Sequence, residues 1–374
     1  MPLAPIVDSL TCFAHGHGQD PNRLSTVCEV CGSPLRVDLR LPKGSPSELI
    51  ASDVPSLWRY RALLPVAGDE VVTLSEGWTP LIGVEDRTWI KDEARNPTGS
   101  FKARGMAVAV SAALALGAKR LVAPSAGNAA GALAAYGAHA GIPVLVAMPA
   151  DTPHAFIDEC RHYGAGVELV PGTIADAGRW LAANRAPADF DVSTLKEPYR
   201  VEGKKTMGYE LFEQFDAGLP DVVVYPTGGG TGLVGMWKAW NEMERMGWIG
   251  GKRPRLVSVQ AAGCAPIVKA FEAGADVTVP WEDPYTTAYG LRVPHPIGGF
   301  VCLRAIRETS GTAVAIPESI LHEATATLAA ASGVDVCPEG GAAWAATIKL
   351  RESGWIKETD RVVVFNTGTG LKYR

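Results

Sequence analysis

Short apolar runs alternate with longer helical runs along most of this 374-residue chain. Strands are predicted at residues 88–91, 120–123, 143–148, 166–170, 222–225, 255–260 and 361–365. Helices are predicted among them at residues 105–116, 129–140, 153–163, 174–184 and 203–215. Strands that alternate with helices favour parallel sheets covered on both faces, so the sequence predicts an α/β fold.

The segment 96–106 places one lysine at a polar turn between a predicted strand and a buried helix. It reads N-P-T-G-S-F-K-A-R-G-M, and an uncharged helical run follows Lys102. A lysine beside a buried helix loses hydration, which favours the neutral amine and its attack on a carbonyl carbon. The simpler interpretation is a surface lysine whose stem packs on the helix start. Lys102 is therefore a candidate nucleophile only if other features support it.

Two further strand ends carry small polar loops that open helices. Residues 125–128 read S-A-G-N, and residues 227–232 read T-G-G-G-T-G. A glycine loop at a helix N-terminus presents backbone N–H groups that can bind a phosphate. Neither loop fits a nucleotide motif, because no Lys-Ser or Lys-Thr pair follows the glycines and the spacing is not G-x-G-x-x-G. The pattern indicates a smaller phosphate, on a molecule that also needs a lysine.

The motifs S-F-K, S-A-G-N, G-G-G-T-G and N-T-G-T-G follow one another in an order that resembles pyridoxal-phosphate enzymes of fold type II, the tryptophan synthase β family. Within that family, N-P-T-G-S-F-K-x-R-G-M and the E-G-K-K-T of residues 202–206 are most similar to threonine synthases. The resemblance covers residues 75 to 374 approximately. It implies an α/β protein with two domains built on parallel or mixed sheets, and pyridoxal 5′-phosphate as cofactor.

The resemblance also implies domain boundaries. Residues 46–120 and 200–374 are expected to form a large cofactor-binding domain, and residues 121–199 a small mobile domain. Residues 1–45 are expected to be a zinc-ribbon-like segment and a linker.

By resemblance, Lys102 is the catalytic residue, which links to the cofactor aldehyde and moves protons at Cα and beyond. Asn128 is expected to contact the phenolic oxygen of the cofactor ring, although helix N-capping would explain an asparagine there equally well. Thr367 is expected at the pyridine nitrogen, where a neutral hydroxyl suits elimination and replacement better than transamination. The expected phosphate ligands are Gly228, Gly229, Gly230, Thr231 and Gly232.

Further residues are expected to bind the substrate. These are Ser100, Ser125, Ala126, Gly127, Lys204, Lys205 and Thr206. The loop at 125–127 would receive the α-carboxylate, because a helix N-terminus and a hydroxyl suit an anion. Lys204, Lys205 and Thr206 would bind the distal phosphate of O-phospho-L-homoserine. Arg161 and Arg292 are further candidates for this role. The implied reaction converts that substrate and water to L-threonine and phosphate.

Two departures from the family pattern keep other reactions open. Ala103 stands where the family has an aspartate, and the loop G-G-G-T-G resembles those of dehydratases and cysteine-synthase relatives. A threonine or serine dehydratase, or a β-replacement enzyme acting on another amino acid, is therefore an alternative. A non-catalytic relative is disfavoured because the lysine and both glycine loops are intact.

The N-terminal segment contains two pairs of metal-ligand residues. Cys12-x-x-His15 and Cys28-x-x-Cys31 are separated by a polar loop, and a glycine follows the second pair. This spacing predicts a structural zinc site with three cysteine ligands and one histidine, in a segment too short for its own core. His17 could replace His15, and a ribbon that has lost its metal is the alternative.

Composition limits the partners. The 47% hydrophobic content describes a globular protein with ample core, and the net charge of −5 argues against a nucleic-acid or anionic-membrane partner. The N-terminus lacks the layout of a signal peptide, and the seven cysteines do not form a disulfide pattern. We therefore expect a cytoplasmic homodimer that acts on a small amino-acid substrate.

Overall fold

The structure, a computed structural model, describes residues 3–66, 68 and 71–374. Its strands are β1 (Val7–Cys12), β2 (Gly18–Gln19), β3 (Leu35–Leu39), β4 (Leu81–Glu85), β5 (Thr88–Asp92), β6 (Arg120–Pro124), β7 (Val144–Pro149), β8 (Gly166–Val170), β9 (Asp189–Asp191), β10 (Val222–Pro226), β11 (Arg255–Ala261), β12 (Thr312–Ile316) and β13 (Val362–Asn366). Its α-helices are α1 (Pro46–Leu49), α2 (Lys102–Ala115), α3 (Asn128–His139), α4 (His154–His162), α5 (Ile174–Asn184), α6 (Tyr199–Gln214), α7 (Thr231–Arg245), α8 (Pro266–Glu272), α9 (Gly299–Glu308), α10 (Glu318–Ser332) and α11 (Pro338–Glu352).

The strands form three sheets. A small antiparallel sheet has the order β2-β1-β3, and a four-stranded sheet has the order β8-β7-β6-β9. The third sheet has six strands in the order β12-β11-β10-β13-β5-β4. The four-stranded sheet is parallel throughout, and in the six-stranded sheet only β4 is antiparallel to its neighbour. The predicted α/β fold with parallel and mixed sheets is confirmed.

Each predicted strand is present, with ends that differ from the prediction by at most one residue. Helices α2 and α6 begin earlier than predicted. The prediction followed apolar residues, and the first turns of both helices contain charged residues. Sequence reasoning did not assign β1 to β3, β9, β12, α1, or the four helices from α8 to α11. Among the described residues, no helix is both long enough and apolar enough to cross a membrane.

The chain divides into two compact units. The first unit comprises Met1–Gly77, Asn96–Thr98 and Lys102–Thr206, and the second comprises Trp78–Arg95, Gly99–Phe101 and Met207–Arg374. This division differs from the predicted boundaries, since the N-terminal segment groups with residues 121–199. The physical reason is a shared core, in which side chains of β1 and β3 are buried in one apolar cluster with those of α2 and α3. The mobility of residues 121–199 stays a prediction.

Within the first unit, α2 and the first half of α6 cross with their backbones in direct contact. A Cβ atom on Gly203 would stand 1.9 Å from the carbonyl oxygen of Arg104. A Cβ on Gly105 would stand 3.1 Å from the carbonyl oxygen of Arg200. Only a residue without a side chain fits at position 203, because a backbone carbonyl cannot move aside as a flexible side chain can.

Within the second unit, a buried ion pair joins β5 to the second half of α6. The ammonium of Lys91 lies 2.7 Å from a carboxylate oxygen of Glu210, and neither side chain is exposed. The same ammonium donates to the Thr79 carbonyl at 2.7 Å and to the Gln214 side-chain oxygen at 2.9 Å. A buried charge is tolerated when its partner and its hydrogen bonds are all provided, as they are here.

The close crossing predicts opposite effects for two helical glycines. Gly203→Ala should lower the free energy of unfolding by about 1–3 kcal/mol, because the new methyl group overlaps a carbonyl oxygen. Gly178→Ala, in α5, is the matched control, since its Cβ would meet Pro124 Cγ at an ordinary 3.8 Å. This control should raise stability by up to about 1 kcal/mol through helix propensity. Denaturant unfolding of the two variants measures both effects, and equal stabilities would contradict the close crossing.

Candidate active site

In the first unit, the loop 125–128 lies at the carboxyl edge of the four-stranded parallel sheet. The N–H of Ser125 donates to the Ala147 carbonyl at 3.0 Å, which extends the pairing of β6 with β7. Helix α3 begins at Asn128, and its N-cap is Gly127, which makes no side-chain capping bond. The capping interpretation of Asn128 is therefore wrong, since Asn128 is the first residue of α3, and the N–H of Ala130 donates to the Gly127 carbonyl at 2.9 Å. A half-buried helix N-terminus of this kind favours an anion.

Arg200 is held at the same edge of that sheet. The N–H of Val192 donates to the Val122 carbonyl at 2.9 Å and extends β9 beside β6. Nη1 of Arg200 donates to the Val192 carbonyl at 2.8 Å. Because β6 and β9 are parallel neighbours, their carboxyl ends meet, and ligands of α/β sheets bind at such edges.

The Arg200 side chain is 1% exposed, yet half of its guanidinium is unused. Its Nε and Nη2 atoms have no hydrogen-bond partner among the residues that the structure describes. The same two nitrogens of Arg120 donate to both carboxylate oxygens of Asp189. In arginines generally, the edge formed by Nε and Nη2 can bind a planar or tetrahedral oxyanion with two hydrogen bonds. In Arg200 this edge is unused.

Lys204 lies near both Arg200 and Lys102. Lys102 is the first residue of α2 and is half-buried. A Cβ on Gly105 would stand 3.0 Å from Lys204 Cε, so Lys204 lies against the start of α2. Burial lowers the pKa of Lys204 well below its ordinary value, and the charges of Arg200 and Lys102 lower that pKa further. We refer to Lys102, Arg200 and Lys204 as the cation cluster.

The sequence identified Lys102 and Lys204 but missed Arg200. The spacing could have identified Arg200, because it precedes Lys204 by four residues and so lies on the same face of α6. The other predicted distal-phosphate residues lie elsewhere. Arg161 is exposed on α4, and Arg292 stacks on Tyr289 in the second unit, with its guanidinium 5.1 Å from the ring centre.

Lys205 and Thr206 are engaged inside the first unit. The Lys205 ammonium lies 2.7 Å from a carboxylate oxygen of Glu202, and neither side chain is exposed by more than 1%. The Thr206 hydroxyl donates to the Gly203 carbonyl at 2.6 Å and accepts from Arg104 Nη1 at 3.1 Å. These contacts stabilise the helix crossing. Within the E-G-K-K-T segment, Lys204 therefore belongs to the cation cluster, whereas Lys205 and Thr206 do not.

Glu197 lies beside Arg200 at the start of α6. Its carboxylate accepts the N–H of Tyr199 at 2.8 Å and the N–H of Arg200 at 2.9 Å. Burial raises the pKa of Glu197 to about 7, while the charge of Arg200 and these hydrogen bonds oppose the increase. Glu197 therefore changes charge near neutral pH, next to the cation cluster.

In the second unit, the glycine loop 228–232 follows β10 and opens α7. Gly230 is the N-cap and has a left-handed backbone, with φ of 83°. The N–H of Val234 donates to the Gly230 carbonyl at 2.9 Å, which is the first hydrogen bond of α7 between residues four apart. The N–H groups of Thr231, Gly232 and Leu233 come before this bond, in the N-terminal turn of the helix. A Cβ on Gly228 would stand 2.1 Å from the Gly290 carbonyl oxygen, so only glycine fits there. This loop fits a phosphate group.

Thr367 lies at the same edge of the six-stranded sheet, since β13 is the parallel neighbour of β10. Its carbonyl accepts the N–H of Phe101 at 3.1 Å, and Phe101 directly precedes Lys102 in the sequence. The Thr367 hydroxyl lies 3.8 Å from the Cys337 sulfur. Burial raises the pKa of the Cys337 thiol well above its ordinary value, so the thiol is a neutral neighbour.

Ser100 also belongs to this part of the second unit. It forms an isolated β-bridge with Gly368, next to Thr367. Its side chain is fully buried, and its Oγ has no hydrogen-bond partner among the described residues. An unpartnered buried hydroxyl costs free energy unless a ligand pairs with it. Within the second unit, the glycine loop and these hydroxyls fit the donors that the phosphate and the ring of pyridoxal phosphate need.

The raised pKa of Glu197 predicts a pH effect on stability. The folded state holds this proton up to about pH 7, while the ordinary value is 4.5. The folded state thus binds more protons in this window, and the free energy of unfolding falls as pH rises through it. Glu197→Gln keeps an oxygen acceptor but removes the titration. Over this pH range its free energy of unfolding should therefore fall less than that of the wild type, by about 1 kcal/mol or more.

Urea unfolding of wild type and Glu197→Gln at pH values from 4.5 to 7 measures this difference. Glu168→Gln, at an exposed position of β8, is the control and should follow the wild type. Parallel pH profiles for wild type and Glu197→Gln would contradict a buried, titrating Glu197.

Comparisons with known proteins bear on this site. The sequence profile of the family described as "Pyridoxal-phosphate dependent enzyme" matches residues 72–368. A protein named threonine synthase from Methanosarcina acetivorans is 37% identical over 97% of this chain and 92% of its own length. One of the same name from Methanocaldococcus jannaschii is 33% identical over 96% of this chain and 92% of its own length.

A solved structure is similar in fold. The structure titled as a fungal L-serine ammonia-lyase from Rhizomucor miehei has a TM-score of 0.67 and 20% identity, over 79% of this chain and 97% of that one. The family match covers both glycine loops and the lysine described above. The chain therefore belongs to the pyridoxal-phosphate-dependent enzymes of fold type II, and among them it is similar to threonine synthases.

Proposed function

We propose that this enzyme converts O-phospho-L-homoserine and water to L-threonine and inorganic phosphate. Its long, nearly full-length similarity to proteins named threonine synthase supports the assignment. The observation that carries it is the cation cluster, in which Arg200 keeps two buried donors for an oxyanion. The loop 125–127 accounts for the α-carboxylate, so the cation cluster remains for a second anionic group, which a substrate with a distal phosphate provides.

Each cofactor contact is assigned to a residue of this chain. Lys102 would hold the cofactor aldehyde, Asn128 would contact its phenolic oxygen, and the N–H groups of residues 228–232 would bind its phosphate. Thr367 offers a neutral hydroxyl to the ring nitrogen, which its neutral neighbour Cys337 supports. When bound, pyridoxal phosphate stabilises negative charge that develops on substrate carbon atoms.

The protein's own groups bind the substrate and move its protons. The loop 125–127 and the N-terminus of α3 bind the α-carboxylate, with the Ser125 hydroxyl as an additional donor. The unpartnered hydroxyl of Ser100 is a further donor at the site. Lys102 removes one proton each from Cα and Cβ, and phosphate leaves from Cγ with the electron pair of the C–O bond. One proton then moves to Cγ, water adds its hydroxyl at Cβ while its other proton goes to the phosphate, and the last proton returns to Cα.

Arg200 and Lys204 bind the distal phosphate. A dianionic group would use the Nε and Nη2 donors of Arg200 together and would stabilise the charged form of Lys204, whose pKa burial lowers. We assign this role to Lys204 and not to Lys205 or Thr206, because those two side chains pair with Glu202, Gly203 and Arg104.

Two further properties are part of the proposal. A homodimer and a cytoplasmic location are expected from the sequence reasoning. Gel filtration with light scattering measures the first, and fractionation of cells that express the chain measures the second.

The products distinguish this proposal from a dehydratase. Purified enzyme with O-phospho-L-homoserine should release phosphate and threonine in equal amounts, while threonine alone should give no 2-oxoacid. The departures at Ala103 and in the glycine loop leave the alternative open, in which threonine yields 2-oxoacid. Oxoacid formation without phosphate release would overturn the proposal.

Lys102→Ala should lower phosphate release by at least about 10³-fold, because the amine that moves the substrate protons is lost. The variant should still bind the cofactor through the glycine loop, but borohydride should no longer fix it to the peptide that contains position 102. Lys119→Ala, at an exposed position just after α2, is the control and should keep full activity. Full turnover in the Lys102 variant is incompatible with the scheme.

Arg200→Met should raise the KM for O-phospho-L-homoserine by at least about tenfold, because two charge-assisted hydrogen bonds to the phosphate are lost. Inhibition by inorganic phosphate should weaken by a similar factor. Arg200→Lys keeps the charge but not the two-donor edge, so its effect should be intermediate. Arg161→Met, at an exposed position, should change neither constant.

Circular dichroism and cofactor absorbance verify that each arginine variant is folded. If Arg200→Met binds phosphate and substrate as tightly as wild type, the distal phosphate binds elsewhere.

A further inference from the structure

Three thiols meet at one end of the small antiparallel sheet in the first unit. The sulfur atoms of Cys12, Cys28 and Cys31 all lie within 4.8 Å of one another. The sulfurs of Cys12 and Cys31 are 3.5 Å apart. Three sulfurs bound to one tetrahedral zinc ion at about 2.3 Å would stand about 3.8 Å from one another. The thiols already have nearly the spacing that a zinc ion imposes.

The first pair of ligand residues lies in a tight loop that begins at Cys12. The N–H of Gly16 donates to the Cys12 carbonyl at 2.9 Å, and the N–H of Cys12 donates to the His17 carbonyl at 2.9 Å. Gly16 has a left-handed backbone, with φ of 70°. His15 is therefore the fourth residue of this loop, and His17 follows the turn.

The second pair lies in a loop of the same shape. The N–H of Gly32 donates to the Cys28 carbonyl at 2.8 Å, and the N–H of Cys28 donates to the Ser33 carbonyl at 2.8 Å. Gly32 has φ of 71°, almost the value of Gly16. The fourth residue of this loop is Cys31, whose sulfur belongs to the group of three thiols.

The equivalence of the two loops assigns the fourth ligand. His15 occupies in the first loop the place that Cys31 occupies in the second, while His17 corresponds to Ser33. The group of three sulfurs does not include a ring nitrogen of either histidine. His15 is exposed, so its ring can turn about its side-chain bonds without displacing the core.

We propose that Cys12, Cys28 and Cys31 bind a structural zinc ion and that His15, rather than His17, completes the tetrahedral site. The metal links the end of β1 to the chain between β2 and β3. That stretch has no helix and no strand in the structure, apart from an isolated bridge between Val27 and Pro34. A closed site of three cysteines and one histidine is a common structural zinc site and stabilises segments that lack a core of their own.

The experiment measures zinc on the full-length protein. Protein stripped with a chelator under reducing conditions is titrated with zinc against a chromogenic competitor, and the bound metal is counted by mass spectrometry. One zinc per chain is expected. Cobalt(II) in place of zinc should give the visible absorption of a tetrahedral site with thiolate ligands.

Two histidine variants form a matched pair in this titration. His15→Ala should weaken zinc binding by at least about tenfold, because one of four metal bonds is lost. His17→Ala should bind zinc within about twofold of wild type, since the proposal gives it no metal bond. Cys31→Ser, at an exposed position, should weaken binding more than His15→Ala does, and circular dichroism verifies its fold.

Three results would overturn the proposal. Wild-type protein that takes up no zinc would exclude the site, whatever the variants do. A disulfide between two of the three cysteines in freshly purified protein would exclude it as well. Zinc binding that His17→Ala weakens and His15→Ala does not would overturn the assignment of the fourth ligand.

Discussion

The close crossing of α2 and α6 is the constraint on which the first unit depends. Gly203 lets the carbonyl of Arg104 approach the α6 backbone, and the buried pair Lys205–Glu202 secures the helix that carries it. Lys102 is the first residue of α2, so the crossing also fixes where the backbone of Lys102 lies relative to α6. A bulkier side chain at position 203 would separate the helices and move the cations apart.

The crossing concentrates positive charge in a place where burial disfavours it. Burial lowers the pKa of Lys204, and repulsion from Arg200 and Lys102 lowers it further. Glu197 compensates only in part, because burial raises its own pKa to about 7. A dianionic ligand would supply the missing negative charge, and without one the burial of these cations costs stability.

In the second unit, the candidate site consists of neutral groups. Parallel strands β10 and β13 bring the glycine loop and Thr367 to one edge of the six-stranded sheet. The backbone bond from Phe101 to Thr367 places the residue before Lys102 at that edge as well. Backbone N–H groups and hydroxyls carry no net charge, so this edge can remain buried without ion pairs.

The sequence by itself determined the alternation of strands and helices and the ends of the strands that it assigned, and it marked Lys102 and the glycine loop as candidates, because apolar period and glycine at strand ends are local signals. It did not separate Lys204 from Lys205, which are adjacent residues of the same type. Only the tertiary structure decided that Lys205 pairs with Glu202 and that Arg200 keeps two donors unused. Those outcomes depend on which side of α6 faces α2 and the β9 edge, and residues distant in sequence determine this.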